Sequence, residues 1–127
     1  MYHLTILTHF AAAHNLLNYC GDCENLHGHN WKVEACVTGD KLSPAGVLVD
    51  FGDLKKYVRS IMGDLDHKYL NELDYFAYGN PSSENIAIYI ANKLQGMIQG
   101  SGAAVSRITV WESENASATY IMPVTNG

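Results

Sequence analysis

Polar and apolar side chains alternate from residue 2 to residue 10. Tyr2, Leu4, Ile6, Thr8 and Phe10 fall on one face of an extended chain, and His3, Thr5, Leu7 and His9 on the other. A period of two marks a strand with one buried face. The pattern returns over residues 29–38, where Trp31, Val33, Ala35 and Val37 share a face and Lys32, Glu34, Cys36 and Thr38 take the other. Residues 15–26 between these strands are polar and contain Gly21, as a loop would. After turn chemistry at residues 39–46 the period changes to that of a helix. Asp50 is placed to cap it with Asp53 in its first turn, and Phe51, Leu54, Tyr57, Val58 and Ile61 recur on one face. Gly63 is the expected end of this helix. Residues 65–71 read as a short irregular segment.

A second helix starts at Asn80-Pro81-Ser82-Ser83-Glu84, capped by Ser82 or Ser83, with Glu84 favourable at the positive helix end. Ile86, Ile90, Leu94 and Met97, with Ala87 and Ala91, form its apolar stripe, and Gly100-Ser101-Gly102 breaks it. Residues 106–112 and 118–124 read as two further strands joined by a turn through Asn115. The order strand, strand, helix, helix, strand, strand predicts an α+β fold. It is a four-stranded antiparallel sheet with both helices on one face. Such a sheet has open edges, which must be covered, blunted or paired with another subunit.

Composition narrows the class. A chain of 127 residues, 47% hydrophobic and 17% charged, is expected to be one domain, 1–127, with a single modest core. A net charge of −5 argues against a general nucleic-acid binder. No run reaches the roughly 18 apolar residues of a membrane span, so no membrane partner is expected. No charged region followed by an apolar signal core opens the sequence, and cytoplasmic localisation is the expectation. Three cysteines do not make a disulfide framework and fit a reducing compartment.

The candidate chemistry centres on Cys23-Glu24-Asn25-Leu26-His27-Gly28-His29. Histidines two apart lie on the same side of a strand, so His27 and His29 can converge on one metal ion. His14 is the natural third ligand. Three neutral imidazoles with an open fourth position make the catalytic kind of zinc site. Paired histidines are also common as surface or hydrogen-bonded core residues, and H-x-H implies no metal until a third ligand appears. A second alternative uses Cys20-Gly21-Asp22-Cys23, which with His27 and His29 forms a closed, structural Cys2His2 set. Its spacing is short, since zinc fingers leave about a dozen residues between the second cysteine and the first histidine.

Asp66-His67 is either a turn aspartate beside a surface histidine or an acid–base pair that shares a proton with a thiol. Glu112 in Val110-Trp111-Glu112-Ser113 is either an exposed strand-end residue or a bidentate partner for a ligand with two parallel N–H groups. Glu24 is a loop carboxylate or a second base at the metal. Ser82 and Ser83 are most simply capping residues, whose backbone is also able to hold a planar polar ligand.

In this order, the motifs resemble the 6-pyruvoyl-tetrahydropterin synthase / 6-carboxytetrahydropterin synthase family. They are Phe10-Ala11-Ala12-Ala13-His14, Cys23-x-x-x-His27-Gly28-His29, Val49-Asp50-Phe51, Leu65-Asp66-His67-x-Tyr69-Leu70-Asn71, Asn80-Pro81-Ser82-Ser83-Glu84-Asn85 and Glu112. The resemblance implies a tunnelling fold (T-fold), in which subunits join edge to edge into a trimeric barrel and two trimers stack into a homohexamer. It implies Zn2+ on His14, His27 and His29, and a proton relay of Cys23, Asp66 and His67 assembled across a subunit boundary. It also implies a pterin anchored by Glu112 with help from Ser82 and Ser83. The implied substrate is the small molecule 7,8-dihydroneopterin triphosphate, and the implied product 6-carboxy-5,6,7,8-tetrahydropterin, on the queuosine route, or 6-pyruvoyl-tetrahydropterin. Glu24 departs from the commonest bacterial pattern. Cys-Glu-x-x-His-Gly-His resembles a subgroup proposed to cleave the side chain to 6-hydroxymethyl-7,8-dihydropterin, a folate precursor. A non-catalytic zinc-stabilised module is the rival of a different class.

Overall fold

The computed structural model describes residues 1–17, 25–77 and 79–123. Two long strands, β1 (Tyr2–His14) and β2 (His27–Gly39), pair antiparallel along their whole length, from Tyr2 opposite Gly39 to His14 opposite His27. Helix α1 (Phe51–Leu65) follows, then a two-residue strand β3 (Lys68–Tyr69) and two short 3-10 turns, Leu70–Glu72 and Asp74–Phe76. Helix α2 (Ser83–Ile98) leads to β4 (Ala104–Ser113) and β5 (Ala116–Ile121). The sheet has the order β3-β1-β2-β4-β5. It has five strands where the periodicity predicts four, and β3 runs parallel to β1 at Ala12 and Ala13. Two residues have no periodicity of their own, which is why β3 leaves no mark in the pattern. The remaining pairs are antiparallel.

Both helices cover one face of the sheet. Ile6 and Phe10 of β1, Trp31, Val33, Ala35 and Val37 of β2, and Val105, Ile108 and Val110 of β4 form the core with them. Val105 and Ile108 are three apart, which strict alternation forbids. A bulge opposite Cys36 and Val37 inserts Ser106 and restores the phase. Asp50 Oδ1 caps α1 by accepting from the N–H groups of Gly52 and Asp53. The stripe α1 buries is Leu54, Val58, Ile61, Met62 and Leu65, while Phe51 is half exposed. The helix runs through Gly63, the expected end, and stops where Asp66 turns extended. A lone glycine is a weak breaker when the residues after it continue to bury apolar surface. In α2, Ile98 takes the buried place expected of Met97, and Gly100 and Gly102 reverse the chain at φ 85° and 90°. No helix among the described residues is long and apolar enough to cross a membrane.

The edges of the sheet are open. β1 pairs with β3 only at its end, so among the described residues its outer edge has no strand partner from Tyr2 to Phe10. The outer edge of β5 is bare in the same way.

Candidate metal centre

The register of β1 on β2 assembles the histidines. His14 lies directly opposite His27, and Ala12 opposite His29. All three imidazoles stand on the core face, at the end of the sheet where the apolar layer stops. Ala12 is small enough to leave the space across from His29 open. Trp31 closes the inner wall, edge-on to His14 and His29 with ring centroids 4.9 and 5.0 Å away, and its Nε1–H donates to Ala12 O at 3.3 Å.

Carbonyls set which ring nitrogens point inward. His14 Nδ1–H donates to Pro81 O at 2.8 Å, and His27 Nδ1–H donates to Asn25 O at 2.8 Å. With Nδ1 carrying the proton, Nε2 of each neutral ring is an acceptor. Those two Nε2 atoms face each other at 3.0 Å. Two lone pairs at that separation repel unless a cation lies between them. The buried His29 Nε2 is 3.0 Å from Glu112 Oε1 but makes no hydrogen bond of acceptable direction. Glu112 Oε1 is also 3.4 Å from His14 Nε2 and 3.9 Å from His27 Nε2. Donor atoms of the four residues lie within 4.8 Å of one another, so the group can hold a metal ion. Burial lowers the His29 pKa from its ordinary 6.5; Glu112 opposes this, and His14 and His27 reinforce it. His29 is therefore neutral at neutral pH, the form that ligates.

Glu112 reaches the cluster through a second irregularity. Trp111 pairs with Ser117 and Ser113 with Ala116, leaving Glu112 as the extra residue of β4. A bulge here aims its carboxylate at the imidazoles. The residue expected at a ligand's edge thus occupies the fourth corner of the histidine group, with 39% of its side chain exposed.

Asp66 and His67 stand on the opposite edge of β1. Asp66 Oδ1 accepts from Ala11 N–H at 2.8 Å, and His67 N–H donates to Ala11 O at 2.6 Å. Asp66 Oδ2 is 2.9 Å from His67 Nδ1, so these sequence neighbours do bond. His67 has φ 59°, the only left-handed non-glycine among the described residues, and so departs from the alternation that points neighbours apart. The Asp66 carboxyl is held below the usual carboxylate range, first by Ala11 N–H and then by His67. The His67 side chain is 83% exposed, and the pair is not part of the metal group.

Cys23 and Glu24, with Cys20, lie outside the described residues. Ser82 caps α2, its Oγ accepting from Asn85 N–H at 3.1 Å. Ser83 opens α2 one residue later, half-buried. The Pro81 carbonyl, which orients His14, escapes sequence reasoning because a backbone oxygen 67 residues away has no side-chain signature.

The chain matches the family model described as 6-pyruvoyl tetrahydropterin synthase over residues 3–122. It belongs to that family. It is 34% identical to the human 6-pyruvoyl tetrahydrobiopterin synthase, over 87% of this chain and 85% of the relative. A putative 6-carboxy-5,6,7,8-tetrahydropterin synthase of Archaeoglobus fulgidus is 37% identical over 87% of each chain. A dihydroneopterin monophosphate aldolase of Pyrococcus furiosus is 35% identical over 70% of this chain and 72% of its own. The solved structure of Caenorhabditis elegans 6-pyruvoyl tetrahydropterin synthase superposes with a TM-score of 0.83 at 25% identity, covering 96% of each chain. The fold is accordingly the T-fold of that family, and the chain is an enzyme of tetrahydropterin synthesis, a lyase.

Proposed function

We propose that this enzyme is a zinc-dependent synthase acting on 7,8-dihydroneopterin triphosphate, with 6-carboxy-5,6,7,8-tetrahydropterin as its product and 6-pyruvoyl-tetrahydropterin as the other family outcome. The observation that carries the reading is the inward convergence of His14 and His27 Nε2 while their Nδ1–H groups are tied to carbonyls. Nitrogens held by a tetrahedral zinc with Zn–N near 2.0–2.1 Å would stand about 3.3 Å apart, close to the 3.0 Å between His14 and His27 Nε2. Zinc, when bound, supplies Lewis acidity toward the hydroxyls of the substrate side chain. His14, His27 and His29 hold and orient it. Glu112 swings from the cluster to the two parallel N–H groups of the pterin edge and fixes the ring, with the backbone at Ser82 and Ser83 alongside. Cys23 as thiolate takes a side-chain proton, and His67, oriented by Asp66, returns one.

His67 points into solvent within one chain, so the relay is completed by a neighbouring subunit. The bare outer edges of β1 and β5 support edge-to-edge joining into trimers, which stack as a homohexamer. Sedimentation of the purified protein as a six-chain particle is the expected result; a monomer overturns the shared relay.

A second reading, cleavage to 6-hydroxymethyl-7,8-dihydropterin, is favoured by Glu24 beside Cys23 and by the aldolase among the relatives. Mass spectrometry of the products of wild type and Glu24→Ala separates the two. A carboxy or pyruvoyl product in both supports the first reading. A hydroxymethyl product that disappears in Glu24→Ala establishes the second. Cys23→Ala is expected to keep its zinc and lose most turnover, and zinc loss in that variant contradicts the role given to the thiol.

A further inference from the structure

Beyond His14 the chain runs on past the last β1–β2 pair, yet its backbone remains bonded. Asn71 Oδ1 accepts from Asn15 N–H at 3.0 Å, and Asn71 Nδ2 donates to Asn15 O at 2.7 Å. Two residues on, Asn80 repeats the arrangement: Oδ1 accepts from Leu17 N–H and Nδ2 donates to Leu17 O, both at 2.8 Å. A carboxamide carries the same donor and acceptor as a peptide group, so each side chain does for one residue what a neighbouring strand does. Both amides grip backbone N–H and C=O groups in the irregular stretch after β1, which turns at Leu17. Tyr69 O–H donates to Asn15 Oδ1 at 2.6 Å, and Asn85 Nδ2 donates to Asn80 O at 2.8 Å. Asn80 is thereby tied to the first turn of α2, and the next residue, Pro81, presents the carbonyl that holds the His14 ring.

We infer that Asn71 and Asn80 are positioning residues for His14. Asn80 ties the chain just after the ligand to the lead-in of α2, whose Pro81 carbonyl holds the ring, and Asn71 ties it to the 3-10 turn Leu70–Glu72, so Nε2 is aimed before metal arrives. The inference rests on His14, His27 and His29 being metal ligands. The bonds span 56 to 63 residues of sequence and involve no group of the proposed chemistry. A general structural role alone does not account for two amides gripping the first and third residues after the ligand.

The test is zinc affinity by chelator competition and the visible spectrum of the cobalt(II)-loaded protein, for Asn71→Ala, Asn80→Ala and Asn71→Asp. Thermal unfolding of each metal-free variant is measured alongside. Loss of a direct outer partner of a ligating histidine weakens metal binding about 10–100-fold; these amides act one step further out, through the backbone, so a loss at about the lower end of that range, with an altered cobalt spectrum, is expected for both alanine variants. Asn71→Asp keeps the acceptor for Asn15 N–H and is expected to fall between; it also serves if an alanine variant does not fold. Ile90→Val, in the buried core and outside the histidine group, is the control for lost stability and is expected to bind zinc within about twofold of wild type. Wild-type affinity in both alanine variants overturns the inference, as does an equal loss of affinity in Ile90→Val at matched stability. His27→Ala tells the two failures apart: if it too keeps wild-type zinc affinity, the metal reading has failed, not the positioning.

Discussion

The two edges of β1 carry chemistry of opposite character. On the β2 side, three imidazoles and a carboxylate converge within one chain, with His14 only 2% exposed. On the other side, three residues earlier in the strand, Asp66 and His67 grip Ala11 but turn the imidazole into solvent. A metal group must be preorganised, because any ligand freedom is lost on binding and subtracts from affinity. A proton-transfer group has only to be correct when substrate is present, so a neighbouring subunit can complete it. On the proposed roles, the first group is finished by the packing of one chain, and the second is left at an edge for a neighbouring subunit.

The largest effect expected on this contrast is at the finished site. His27→Ala should lose the metal and lower activity by on the order of 10³-fold or more, the several kcal/mol a Lewis acid contributes; metal analysis beside a rate measurement checks it. Next, His67→Ala should lower kcat by about 10²–10⁴-fold, the usual contribution of a general acid or base, while keeping full metal content. If it loses the metal as well, the two edges are one site and the contrast fails.

A smaller effect separates the edges by pH. Asp66 has its folded pKa depressed, so its contribution to stability is present above the ordinary Asp value of about 4 and is lost as pH falls through the folded value. Wild type should unfold at a higher temperature than Asp66→Asn at pH 7, and the two curves should converge below that range. His29 acts higher on the scale. Its neutral form is favoured on folding, so metal-free protein should lose stability as pH falls from about 6.5, and His29→Gln should flatten that limb. The smallest change is Ser82→Ala, which removes the α2 cap at a cost of about 1 kcal/mol, read as a Tm loss of roughly 4 °C.

Much of this was legible beforehand because it is periodic. The two-residue spacing of His27 and His29 placed them on one side of a strand, with His14 offered as their third member, and the cap residues Asp50 and Ser82 or Ser83 marked both helix starts. Glu112 was noticed as a carboxylate in an apolar strand. Its entry into the imidazole group was not, because a bulge depends on which residues the partner strand offers. The Asp66–His67 bond leaves no mark in the sequence, because side chains of adjacent residues ordinarily diverge, and the left-handed backbone at His67 is the exception.

Local order in the chain therefore dictated the strands, the helices and the pair of histidines, since side-chain periodicity and capping are settled within a few residues. Folding in three dimensions decided the rest. Strand register set His14 against His27, β3 formed at the edge, and Pro81, Asn71 and Asn80 bonded His14 and the residues just after it from more than 50 residues away. Hydrogen bonds between distant backbone and side-chain groups have no period in the sequence, and only the packed chain brings their partners within reach.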